Sequence, residues 1–211
     1  MTQQWTLEDG EKLIRYARAN IENYLTLGLR LDIPDDLINR FGIKGGAFVT
    51  LNKYSILPGN PLRGCIGIIL PHYALIETVQ NVSISAATED PRFPKVKYEE
   101  MDKILVEISI LSIPEKITVT DPLDYEKEVV IGRDGLIISK GHHRGLLLPQ
   151  VPVEHDRNWT PIQFLEQTCQ KAWLAPDAWK DIKNTTVERF TATIFEETEP
   201  RGLVRRKEIG E

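Results

Sequence analysis

The chain has 211 residues, 41% of them hydrophobic and 27% charged, with a formal net charge of -5 at pH 7. A chain of this length buries roughly 70% of its extended surface, so one substantial core needs neither disulfides nor a structural metal, and the composition excludes disorder as the main state. The negative balance gives no whole-protein attraction for nucleic acid, and no apolar run approaches the roughly 20 residues needed to cross a bilayer.

The opening residues carry no apolar run of signal-peptide length, so a soluble cytoplasmic protein is expected. Two cysteines, Cys65 and Cys169, and four histidines scattered along the chain make neither a disulfide framework nor a zinc motif; no metal is expected, and no cofactor of the chain's own.

Thr6-Leu7-Glu8-Asp9 reads as a helix cap, and Leu13, Ile14, Ala17, Ile21, Tyr24 and Leu25 return to one face of an amphipathic helix ending near Gly28. A shorter helix is expected after Pro34, before Gly42 and Gly45-Gly46 redirect the chain. Residues 46–51 read as a strand, followed by a turn at Pro58-Gly59-Asn60-Pro61 and a second strand from Cys65 to Leu70, together a hairpin or nearby pair. Leu75, Val79, Val82 and Ala86 predict a helix that stops before Asp90-Pro91, because a residue preceding proline is pushed out of the helical region.

The clearest strand is 104–111, in which Ile104, Val106, Ile108 and Ile110 form the core face. Further strands are expected at 136–138 and 145–148, joined by a turn at 140–145. Thr160-Pro161-Ile162-Gln163 predicts a capped helix start, with Ile162, Leu165, Cys169 and Ala172 on one face, so Cys169 reads as packing. Trp159 reads as packing that helix onto a sheet. Residues 187–195 read as one more strand, joining a sheet begun much earlier. Arg201, Arg205, Arg206 and Lys207 read as a basic but acid-diluted, solvated terminus.

Two clusters carry the candidate chemistry. In Leu62-Arg63-Gly64-Cys65-Ile66-Gly67, an Arg63 turned toward Cys65 would favour the thiolate, and Gly64 and Gly67 would leave room for substrate or let backbone amides face an anion. The bland alternative makes Cys65 a small buried residue, the glycines a turn or bulge, and Arg63 a solvated side chain. In Asp90-Pro91-Arg92-Phe93-Pro94, two prolines restrain the backbone, Phe93 anchors the loop, and Asp90 and Arg92 are possible supports for the first cluster. Among the histidines, His143 is preferred to His142 or His72 as a proton-transfer partner.

These two clusters, with Gly145-Leu146-Leu147-Leu148-Pro149-Gln150-Val151, resemble the AMMECR-type domain family, named for a human chromosomal region combining Alport syndrome, midface hypoplasia and elliptocytosis. The likeness runs over residues 10–197 and includes Trp159, Phe164-Leu165 and Lys171-Ala172; Trp173 stands where a small residue, commonly glycine, is expected. The resemblance implies an α+β fold of mixed or mainly antiparallel sheets with packed helices, in two intimately associated subdomains with a cleft between them. It makes residues 1–198 a single AMMECR-type domain and 199–211 a polar tail. It also implies a central site at Arg63, Gly64, Cys65 and Gly67, and pathway partners of the Memo type and the radical-SAM type.

Two accounts follow. One is a thiol-dependent enzyme or enzyme component, acting on a small molecule or a nucleic acid, with Cys65, Arg63 and His143 as catalytic residues. The other is a noncatalytic module that recognises a small molecule, a protein or, weakly, a nucleic acid, with Arg63 and Arg92 holding a negative group. The chain lacks the glycine-rich segments of dinucleotide and nucleotide-phosphate loops.

Overall fold

The computed structural model describes residues 4–54, 61–153 and 157–209. Its α-helices and antiparallel strand pairs divide into two compact units. The described residues of Met1–Leu111 and Thr193–Lys207 form the first, and those of Ser112–Ala192 with Glu208 and Ile209 form the second.

The first unit opens with α1 (Leu7–Leu27), capped reciprocally by Thr6 and Asp9 and ended by Gly28 in the left-handed conformation. The short helix α2 (Asp35–Phe41) follows Pro34. Strands β1 (Gly46–Lys53) and β2 (Leu62–Ile68) then form the expected antiparallel pair. The expected turn at Pro58-Gly59-Asn60-Pro61 falls on residues 58–61, of which only Pro61 lies among the described ones. Helix α3 (Leu75–Thr88) stops ahead of Asp90-Pro91, and β3 (Ile104–Leu111) pairs with β1.

Register assigns every residue of this sheet to a face. Ala47, Val49 and Leu51 of β1 align with Ile110, Ile108 and Val106 of β3. These six are at most 2% exposed and pack with Leu13, Ile14, Ala17 and Ile21 of α1 and Leu75, Ile76, Val79 and Val82 of α3. The alternate face carries Phe48, Thr50, Cys65, Gly67, Glu107 and Ser109. β3 departs from simple alternation, because Glu107 and Ser109 on that second face are buried as well.

In the second unit, β5 (Gly135–Lys140) lies between β6 (His143–Leu147) and β7 (Thr186–Phe190), and β4 (Glu115–Lys116) pairs with β7. A short helical turn, α4 (Tyr125–Glu128), precedes β5. The turn expected over 140–145 is tighter than that: Lys140 already faces His143 across Gly141-His142, and His143, Arg144 and Gly145 belong to β6. Helix α5 (Pro161–Lys171) has the predicted capping box between Thr160 and Gln163. Its Phe164, Leu165 and fully buried Cys169 pack with Leu136, Ile138, Val187 and Trp179, and Trp159 leans on this cluster.

Two sequence expectations need correction. The single strand expected over 187–195 is two: β7 belongs to the four-stranded sheet and β8 (Ala192–Glu197) to the five-stranded one, parted by the exposed Thr191. Within 199–211, expected as a polar tail, Val204–Lys207 forms β9, which pairs antiparallel with β8 and closes the sheet order β2-β1-β3-β8-β9. Alternating charges read as solvation in one dimension; across a strand pair they become partners, as when Arg205 meets Glu196 at 2.7 Å.

Candidate functional site

Cys65 occupies the middle of β2, opposite Thr50 of β1, and is partly buried. The Thr50 hydroxyl donates to its sulfur at 3.3 Å. The loop after α3 grips the strand from the other side. Asp90 Oδ2 accepts the backbone N–H of Cys65 at 2.9 Å and the Arg92 Nη2 at 2.6 Å, while its Oδ1 accepts Arg92 Nε at 2.9 Å. Asp90 Oδ1 also accepts the backbone N–H of Arg92, an Asx turn that Pro91 helps to hold. The two motifs singled out in the sequence therefore meet in space, through Asp90 and Arg92.

Arg63 does not meet Cys65 in the way its position two residues away suggests. Its guanidinium is 5% exposed in the residue as a whole and is consumed elsewhere. Nε and Nη2 form a two-pronged pair with Glu100 at 2.9 and 3.0 Å, and Nη1 donates to the carbonyl of Pro94 at 2.8 Å. The strand register shifts next to this residue, between Leu51 and Asn52 of β1, so the simple two-residue alternation fails at Arg63. Arg63 thus fastens β2 to the end of the Asp90–Pro94 loop and to the helical turn Tyr98–Lys103 that follows it.

The glycines are also spoken for. A Cβ on Gly64 would lie 2.1 Å from the carbonyl oxygen of Ala86, and one on Gly67 would lie 2.2 Å from the ring of Phe48. The room expected for substrate is filled by protein: α3 presses its backbone onto β2 at Gly64, and Phe48 lies across Gly67.

Burial pushes the Cys65 thiol above its ordinary value. The Thr50 hydrogen bond and the Arg92 charge pull the other way, and Glu107 and Asp90 push it further up. The cation nearest this electrostatic balance is Arg92, not Arg63, and in this form the sulfur carries its proton at neutral pH. Asp90 is held well below the usual carboxylate range, first by its hydrogen bonds from Arg92 and then by those from the backbones of Cys65 and Arg92, so it stays ionised.

Arg92 combines restraint with access. Its side chain is 54% exposed, its guanidinium lies 5.5 Å from the Phe93 ring centre, and Nη1 has no hydrogen bond among the described residues. A guanidinium held through Nε and Nη2, with Nη1 left to donate, suits a small anion such as a carboxylate or phosphate. His72 is exposed beyond the end of β2, and His142 and His143 are exposed at the β5–β6 turn of the second unit. Among the described residues no group of three or more His, Cys, Asp or Glu is arranged to hold a metal ion, and no helix is long and apolar enough to cross a membrane.

Sequence reasoning missed Thr50, Glu100 and Glu107. Each stands on another strand or turn: Thr50 faces Cys65 across the β1–β2 pair, Glu107 faces Thr50 across the β1–β3 pair, and Glu100 reaches Arg63 from a turn 37 residues on.

An α+β domain whose Leu-Arg-Gly-Cys-Ile-Gly strand is tied to an Asp-Pro-Arg-Phe-Pro loop defines a class, and the chain belongs to it: residues 14–195 match the AMMECR1 family model. Among individual proteins, it is 51% identical to Protein MJ0810 of Methanocaldococcus jannaschii over 204 residues, covering 97% of this chain and 98% of that one. It is 50% identical to Protein PYRAB00100 of Pyrococcus abyssi over 202 residues, covering 96% and 97%. The crystal structure of the uncharacterized protein PH0010 from Pyrococcus horikoshii superposes with a TM-score of 0.87 at 49% identity, covering 94% of this chain and 96% of that one.

Proposed function

We propose that this AMMECR1-family protein binds a small anionic molecule at Arg92, beside a protonated Cys65 thiol. The observation that carries this reading is the half-open guanidinium of Arg92, locked to Asp90 on one side and exposed on the other. Pre-ordering by Asp90 removes the cost of immobilising a long side chain when the ligand arrives. Cytoplasmic location, and partners of the Memo and radical-SAM types that would supply or receive the ligand, belong to the same proposal.

A thiol-dependent enzyme is the second reading, and a specific observation favours it. Cys65 is only partly buried and already accepts a hydroxyl hydrogen bond from Thr50, which stabilises a thiolate once the proton leaves. In that reading the bound anion's own basic group removes the proton, since Arg63 is engaged by Glu100 and a guanidinium is no base at neutral pH.

The two readings separate by substitution. Inorganic phosphate, pyrophosphate and citrate are titrated against native protein, Arg92→Ala and Cys65→Ala by calorimetry, and each protein is scored for complementation in cells lacking the native one. The binding reading expects loss of binding and of complementation in Arg92→Ala and retention of both in Cys65→Ala. Retained binding with lost complementation in Cys65→Ala establishes thiol chemistry instead. Unchanged complementation by a folded Arg92→Ala overturns the proposal.

A further inference from the structure

Pairing places Thr50 opposite Cys65 on one side and opposite Glu107 on the other, so the three side chains leave one face of the sheet in a row. With strands about 4.8 Å apart, the Glu107 backbone stands roughly 10 Å from that of Cys65. Glu107 is 5% exposed, a costly place for an unpaired charge. Lys207 of β9 pairs with it: its Nζ lies 2.8 Å from Glu107 Oε2 and 3.3 Å from Glu196 Oε2. Glu196 has a second cation in Arg205, which donates to its Oε1 from Nε and Nη2.

We infer that Lys207, on the C-terminal strand, is a positioning residue for the Cys65 site: it neutralises Glu107 and so makes docking of β9 a condition of thiol reactivity. This deepens the second, thiol-dependent reading and rests on it only for the importance of Cys65. The charged groups around the sulfur form two compensated pairs, Asp90 with Arg92 from the loop after α3 and Glu107 with Lys207 from β3 and β9; Arg63, on β2 itself, is engaged by Glu100. Thr50, from β1, is the uncharged donor between them. Withdrawing Lys207 leaves Glu107 negative and disfavours the thiolate; neutralising Glu107 leaves Lys207 in excess and favours it. The upward influence of Glu107 on the Cys65 thiol agrees in sign.

The test is the pH profile of Cys65 alkylation by iodoacetamide, read by peptide mass spectrometry on the full chain without ligand. The fully buried Cys169 serves as the internal reporter of folding. Lys207→Gln is expected to move the midpoint upward and to slow alkylation about three- to tenfold below it, Lys207→Arg to stay near wild type, and Glu107→Gln to move the midpoint downward. Unmoved midpoints in folded Lys207→Gln and Glu107→Gln overturn the inference. If Lys207→Gln loosens the fold and Cys169 reacts, Glu107→Gln decides, and a midpoint equal to or above wild type overturns it. Because no ligand is present and Arg92 is intact, that failure leaves anion binding at Arg92 untouched.

Discussion

Asp90 accepts the backbone N–H of Cys65 at 2.9 Å while gripping Arg92 with both carboxylate oxygens, so one buried side chain joins a strand to a loop 25 residues away. Replacing it with alanine strands a backbone donor and frees Arg92. We expect Asp90→Ala to cost about 2–3 kcal/mol in urea unfolding and to weaken anion binding. Asp90→Asn should cost less, because its amide oxygen still accepts from Cys65. Equal unfolding midpoints for Asp90→Ala and wild type would contradict the role assigned to this contact.

Arg63 is bound to Glu100 and to the Pro94 carbonyl, so its loss should be felt as stability and not as thiol chemistry. Arg63→Ala takes the donor from the Pro94 carbonyl and leaves a partly exposed Glu100 with the backbone N–H of Lys97 alone, at an expected cost of about 2–4 kcal/mol. Arg63→Lys keeps the charge but not the fork and should recover less than half of that loss. The alkylation midpoint of Cys65 should stay where it is in both variants as long as Cys169 remains protected; a clear upward shift would restore Arg63 as the activating cation.

Trp173 sits at the end of α5 with φ 59° and 87% of its surface exposed. The N–H of Leu174 donates to Cys169 and that of Trp173 to Gln170, the paired bonds of a helix end whose left-handed position favours glycine. This accounts for the small residue expected there from the family resemblance. Trp173→Gly should raise stability by about 1 kcal/mol, seen as a higher melting temperature with the Cys65 pH profile unchanged. A lower melting temperature would show that the indole makes contacts worth more than the backbone strain.

Asp9 is lowered from 3.8 to about 2, first by its hydrogen bonds from Arg40. Because the folded value lies below the unfolded one, this stabilisation is fully present above pH 3.8 and is lost as pH falls through about 2. Arg40 is 40% exposed, so solvent screening holds the ion-pair contribution near 1 kcal/mol. Asp9→Asn should therefore be less stable than wild type at neutral pH, with the gap in urea midpoints narrowing below about pH 4. A gap that stays constant down to pH 2 would assign the effect to the Thr6 cap instead.

Local patterns were sufficient for the three long helices and for β1 and β3. Thr6 with Asp9 and Thr160 with Gln163 cap neighbours a few residues away, and the apolar spacing of Leu13, Ile14, Ala17 and Ile21 repeats at the helical period whatever lies across from it. The same locality made Cys169 legible as core. It failed at residues 187–195, where an unbroken run of strand formers crosses from one sheet to another at Thr191, and at Val204–Lys207, whose charges become intelligible only opposite Glu196 and Glu107.

By itself the chain determined the long helices and the strands with a clear apolar face, and that residues 62–67 and 90–94 belong to one family signature. Only tertiary structure decided what the signature's side chains touch. A guanidinium has several donors and no preference written into its sequence neighbours, so Arg63 went to Glu100 while Arg92 took the place beside Cys65. Likewise a glycine permits close approach without saying what approaches; here it is a helix carbonyl at Gly64 and an aromatic ring at Gly67.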